Sequence, residues 1–197
     1  MKRHIMKSPR LLLLALTLVP TLAHAHPGHV SEINGLSWGF LHPFTGFDHL
    51  LAMLAVGLWA VQLGHRAFWV LPLSSLTSML VGASLGMNGI QLPFVEPIVL
   101  ASVIGLGALL AMAKPIPLQL SALMVAGVAL FHGQAHGMEI PTGTIGVQAA
   151  FGFLLSSLLL QLAGISLGLT LQLLARQRGL RLAGATILSL AALLSLI

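Results

Sequence analysis

His42-Pro43-Phe44-Thr45-Gly46-Phe47-Asp48-His49 runs directly into Leu50-Leu51-Ala52-Met53-Leu54-Ala55-Val56-Gly57, and the apolar character continues to about residue 64. This stretch decides the fold, because it puts ionisable groups at the head of a segment long enough to cross a bilayer. The hydrocarbon core takes about 20 apolar residues in a helix. The rest of the chain has the same character: 57% of its 197 residues are hydrophobic and only 7% are charged, where soluble domains carry roughly a quarter charged residues. A chain this apolar has too little polar surface to face water all round, so a membrane class is indicated before any motif is read.

Working outward toward the N-terminus, residues 1–25 read as a cleavable signal peptide. A basic region ends at Arg10, the apolar run Leu11–Val19 is short, Pro20 breaks it, and Ala23-His24-Ala25 gives a small-residue cleavage pattern. Cleavage there leaves His26-Pro27-Gly28-His29 as the exported start of a single membrane domain, residues 26–197. Working toward the C-terminus, apolar runs predict six spans at roughly 43–64, 67–88, 93–113, 116–136, 145–175 and 182–197. The expected fold is thus all-α, a polytopic membrane bundle of about six transmembrane helices.

The charges give this topology a second test. The formal charge of +5 is concentrated at the N-terminus, in Lys2, Arg3, Lys7 and Arg10. The remaining basic residues, Arg66, Lys114, Arg176, Arg178 and Arg181, all fall in loops that an exported N-terminus would leave on the cytoplasmic side. That is the positive-inside distribution. It predicts a multi-pass protein of the bacterial inner membrane with both mature termini in the periplasm. No basic patch interleaved with aromatics remains, so nucleic acid is not an expected partner. There is no Gly-rich phosphate loop either, and hence no expected nucleotide site.

Acids and histidines gather on the opposite side. Ionisable groups in membrane helices are costly and mark sites or ion paths. His132 and His136, in Phe131-His132-Gly133-Gln134-Ala135-His136-Gly137-Met138-Glu139, stand four residues apart and so share one helical face, with Glu139 continuing the stripe. Asp48 and His49 are adjacent and diverge by about 100° on a helix, so that one can ligate while the other orients a ligand or meets a neighbouring helix. With no cysteine in the chain, a metal must be held by imidazole, carboxylate, thioether, backbone or water, and imidazole suits nickel, cobalt, zinc and copper(II). The expected metal ligands are His42, Asp48, His49, His132 and His136, with Glu139, Glu96, His26 and His29 as accessory positions. His65, alone among the mature histidines, lies with the basic residues and is expected to be structural. Met53, one turn below His49, is expected to be a core residue, with a soft ligand deeper in a path as the alternative. Small residues in Gly82-x-x-x-Gly86 and Gly164-x-x-x-Gly168 predict close helix packing within the chain.

In the His42-x5-Asp48-His49 pattern with its Leu-Ala-Met-Leu-Ala-Val-Gly continuation, in Phe131-His132-Gly133-x-Ala135-His136-Gly137-x-Glu139, and in the His26-Pro27-Gly28-His29 start, the sequence resembles the HupE/UreJ family of nickel/cobalt permeases. The resemblance runs over essentially the whole mature chain. It implies a secondary transporter taking up Ni²⁺, or Co²⁺, as substrate, with no prosthetic group and an indirect link to hydrogenase or urease maturation. Ligand spacing by itself supports only a divalent metal with nitrogen and oxygen ligands. It leaves a zinc-dependent intramembrane hydrolase as the alternative, with Glu139 or Glu96 as base. The carboxylates around the histidines argue against haem.

Overall fold

The computed structural model describes residues 34–140 and 143–196, and among them every element is helical. The signal-peptide segment, His26 and His29 lie outside the described residues.

The segment predicted as the first span is broken. A short helix α1 (Gly35–Leu41), capped by Asn34 Oδ1 accepting from the Ser37 amide at 2.8 Å, leads into a single 3-10 turn, His42–Phe44. Helix α2 (Phe47–Leu63) then leaves at 79° to this pair. The cause is local. Pro43 sits in the first turn of the 3-10 helix, where its missing N–H costs nothing. Thr45 Oγ1 donates back to the His42 carbonyl at 2.7 Å. Gly46 is extended (φ −98°, ψ 111°), which ends one helical direction before Phe47 begins the next. His42 therefore does not lie on one straight helix with His49. It reaches the same region from a separate element.

Helices α3 (Ala67–Met87), α4 (Val95–Met112) and α5 (Leu118–Glu139) follow close to the predicted bounds. The last element, α6, runs from Thr144 to Leu194 and is interrupted at Arg176, whose backbone (φ 51°, ψ −143°) is not helical. There the chain reverses. A Cβ built on Gly168 would lie 3.5 Å from Leu180 Cδ2, and Leu194 shares a cavity with Phe47 and Glu96, at the end where α6 began. Helix thus runs through the charged cluster and is interrupted only at Arg176, with no loop like that expected over 176–181. Among the described residues, four helices are long and apolar enough to cross a membrane, or five with the bent pair counted as one span. The reversal splits the longest of these into two arms.

The packing pairs helices that run in the same direction. α2 lies along the first arm of α6 at constant register: His49 meets Ser157, and Met53 meets Gln161. α3 lies along α5 in the same way, with Gly82 against Leu130 and Gly86 against Gln134. These approaches are backbone to backbone. A Cβ at Gly133 would overlap the Met79 carbonyl, and one at Gly164 the Leu54 carbonyl. In lipid there is no hydrophobic drive between helices, so association depends on this kind of van der Waals contact between small residues. The second arm of α6 packs on α4 in the opposite direction, Gly107 beside Leu188 and Gly184 beside Ala111. This arrangement collects Arg66, Lys114, Arg176, Arg178 and Arg181 at one end of the bundle and the described acids at the other.

Candidate metal centre

The bend at Gly46, the N-terminus of α2 and the C-terminus of α5 meet at the acidic end. His42 Nε2 lies 2.9 Å from His136 Nδ1 and 2.7 Å from Glu139 Oε2, and His136 Nδ1 is 3.6 Å from the same carboxylate oxygen. One ligand atom from each of the three lies within 4.8 Å of the others. Two ligands each about 2.1 Å from one ion stand about 3 Å apart when at right angles, so these separations suit a common cation. The Glu139 side chain is 57% exposed and the two imidazoles are largely covered, which makes this cluster a mouth rather than a sealed site.

Beneath the mouth lies a fully buried layer. The His49 and His132 rings are 5.5 Å apart between centroids, and His136 is 4.8 Å from His49, so His136 joins the two layers. His49 Nε2 is 3.0 Å from Ser157 Oγ on α6, and His132 Nε2 is 3.0 Å from Ser102 Oγ on α4. Their Nδ1 atoms are buried without a hydrogen-bond partner among the described residues. An unpartnered buried polar atom is costly, and a ring whose one nitrogen is fixed by a hydroxyl while the other is free is arranged as a metal ligand is. Trp38 stacks on His42 at 4.6 Å, and Phe153 walls off His49 and His136 at 4.9 and 4.7 Å.

A cavity of about 230 Å³ is lined by His42, Asp48, Glu96, His132, His136 and Glu139, among others. The divergence of Asp48 and His49 is realised: His49 points into the bundle, while Asp48 accepts from the His49 amide at 2.7 Å and faces the cavity. Asp48 and Glu96 also border a second cavity of about 560 Å³ with Phe47 and Leu194. Glu96 stands in the first turn of α4, where the helix dipole favours a carboxylate.

Of the five principal expected ligands, the structure brings His42 and His136 into direct contact and places His49 and His132 just below. Asp48 borders the same space without touching the imidazole pair. Glu139, expected as accessory, is closer to them than Asp48 is. His65 packs on Phe68 at 5.5 Å, away from the cluster. Met53 is buried, with its sulfur accepting from Gln161. Sequence reasoning missed Ser102, Ser157, Phe153 and Trp38. It also missed Gln134, whose Nε2 donates to the Ile90 carbonyl at 2.9 Å and ties α5 to the turn after α3. The pair Ser156-Ser157 inside an otherwise apolar run was the visible signal.

The family described as "HupE / UreJ protein" matches residues 14–194. "Protein HupE" of Rhizobium leguminosarum bv. viciae is 41% identical over 182 residues, covering 89% of this chain and 94% of that protein. No solved structure matches.

Proposed function

The chain belongs to the HupE/UreJ family, and from that premise we propose that it is a secondary permease taking up Ni²⁺, with Co²⁺ as second substrate, across the bacterial inner membrane. The observation that carries the reading is the convergence of His42, His136 and Glu139 at a mouth directly above buried His49 and His132. The accessible carboxylate meets a hydrated dication, and the imidazoles replace its water step by step. Asp48 and Glu96 keep the adjoining cavities acidic and so raise the local cation concentration. The segregation of Arg and Lys to the other end supports a periplasmic mouth, with both mature termini on that side. Entering a negative interior releases about 2.3 kcal/mol per charge per 100 mV, hence twice that for a dication, which suffices to drive uptake without a coupled ion. The supply of metal to hydrogenase or urease maturation would lie downstream of this step.

The test is accumulation of radioactive nickel by cells expressing the full chain. Wild type accumulates it, and His49→Ala and His132→Ala abolish accumulation while the protein remains in the membrane at wild-type amount. Unchanged uptake in both variants overturns the proposal. Purified protein that keeps stoichiometric zinc through chelator washing would instead favour an intramembrane hydrolase.

A further inference from the structure

We propose that Met53, Gln161 and Ser75 form a second, weaker station for the divalent cation, one helical turn deeper in the bundle than the histidine layer. This inference rests on the transport reading above.

The station follows from the register of α2 on the first arm of α6. His49 pairs with Ser157, and four residues further along both helices Met53 pairs with Gln161, so the second layer repeats the first about 6 Å inward. Gln161 Nε2 lies 3.2 Å from Met53 Sδ and 3.1 Å from Ser75 Oγ, the latter contributed by α3. All three residues are wholly buried, and Gln161 Oε1 has no hydrogen-bond partner among the described residues. One end of this amide is thus used twice while its buried carbonyl oxygen is left without a partner among the described residues, an arrangement that costs stability unless something else occupies the oxygen. Rotation about the broad terminal torsion of the side chain brings that oxygen toward either neighbour. Sulfur, amide oxygen and hydroxyl then converge from three helices.

The chemistry differs from that of the mouth in the direction transport requires. The mouth offers a carboxylate and imidazoles, which hold Ni²⁺ or Co²⁺ strongly. The deeper layer offers only neutral donors, and among them a thioether, a poor match for these ions. An ion path needs sites strong enough to admit the ion and weak enough to release it. A neutral station beneath a charged one supplies that descent.

The experiment compares uptake with equilibrium binding in the full-length protein. Met53→Leu conserves volume and removes only the sulfur, and Gln161→Leu removes the amide. Both are expected to lower radioactive nickel uptake at least tenfold. Titration of the purified variants with Ni²⁺ should give a dissociation constant for the histidine site within twofold of wild type. Met53→His, which substitutes a strong ligand for a weak one, should also lower uptake while the purified protein retains more nickel per chain. Uptake within twofold of wild type in both Met53→Leu and Gln161→Leu overturns the station, as does a fall in histidine-site affinity parallel to the fall in uptake. If Gln161→Leu fails to reach the membrane, Met53→Leu decides. Absence of uptake by wild type would refute the transport reading itself, an outcome distinct from wild-type uptake with unaffected variants.

Discussion

His42 Nε2 and His136 Nδ1, 94 residues apart in the chain, stand 2.9 Å from one another, with Glu139 Oε2 2.7 Å from the same His42 nitrogen. Groups this close act as a unit, so their removal should not be additive. His42→Ala and His136→Ala are each expected to weaken Ni²⁺ binding by about 100-fold or more, beyond the range seen when only an outer hydrogen-bonding partner of a ligand is lost. The double variant should be little worse than either single one. Isothermal titration of the four proteins of the cycle measures this. Fully additive losses would separate the two imidazoles into different sites.

The hydroxyls beneath the mouth carry a different expectation. Ser157 and Ser102 each meet the Nε2 of a buried histidine at 3.0 Å, fixing ring orientation and leaving Nδ1 toward the interior. Ser157→Ala and Ser102→Ala should therefore cost about 10- to 100-fold in metal affinity or uptake, with the fold intact by circular dichroism. Wild-type behaviour in both would mean that packing alone orients the rings.

These two kinds of residue also mark how far the sequence could be read. The histidine stripe was legible because i,i+4 spacing on a helix is fixed by geometry whatever surrounds it, and because ionisable groups stand out in an apolar chain. Ser102 and Ser157 were not, since a membrane serine usually returns its hydroxyl to the carbonyl three or four residues back, as Ser156 does to Phe153 at 3.0 Å and Ser102 itself does to Val99 at 2.6 Å. Only the approach of another helix adds the histidine contact to such a hydroxyl. The same limit hid the 79° bend: Gly46 permits a turn, but the need for one comes from α1 packing on α6, Gly39 lying against the Ala149 backbone. It also explains why Asp48 and Glu139 exchanged prominence, because their distance from the imidazoles depends on how α2 and α5 meet. The helix ends near Arg66, Lys114 and Arg176 were legible because charged residues end apolar runs regardless of tertiary contacts, although Arg176 turns the chain within a single residue.

Glycine substitutions should separate packing from mere composition. A methyl group on Gly133 would overlap the Met79 backbone, whereas one on Gly127 of the same helix meets nothing within 4 Å among the described residues. Gly133→Ala should lower the thermal midpoint in detergent and reduce the amount of protein in the membrane. Gly127→Ala should be neutral or stabilising by up to about 1 kcal/mol, since alanine is the better helix former. Equal behaviour of the two variants would contradict the close α3–α5 contact.

The orientation of the bundle can be settled with the chain's own lack of cysteine, since any introduced thiol is then the only reactive one. Met138→Cys, on an exposed residue beside the mouth, should react in intact spheroplasts with a membrane-impermeant maleimide. Gln177→Cys, at the reversal among Arg176, Arg178 and Arg181, should react only after the membrane is opened. The physical basis is the retention of Lys and Arg in short loops on the cytoplasmic side. Labelling of Gln177→Cys in sealed spheroplasts, with Met138→Cys protected, would invert the bundle and place the histidine mouth inside the cell. The proposed site would then serve efflux rather than uptake, and the membrane potential would oppose transport instead of driving it.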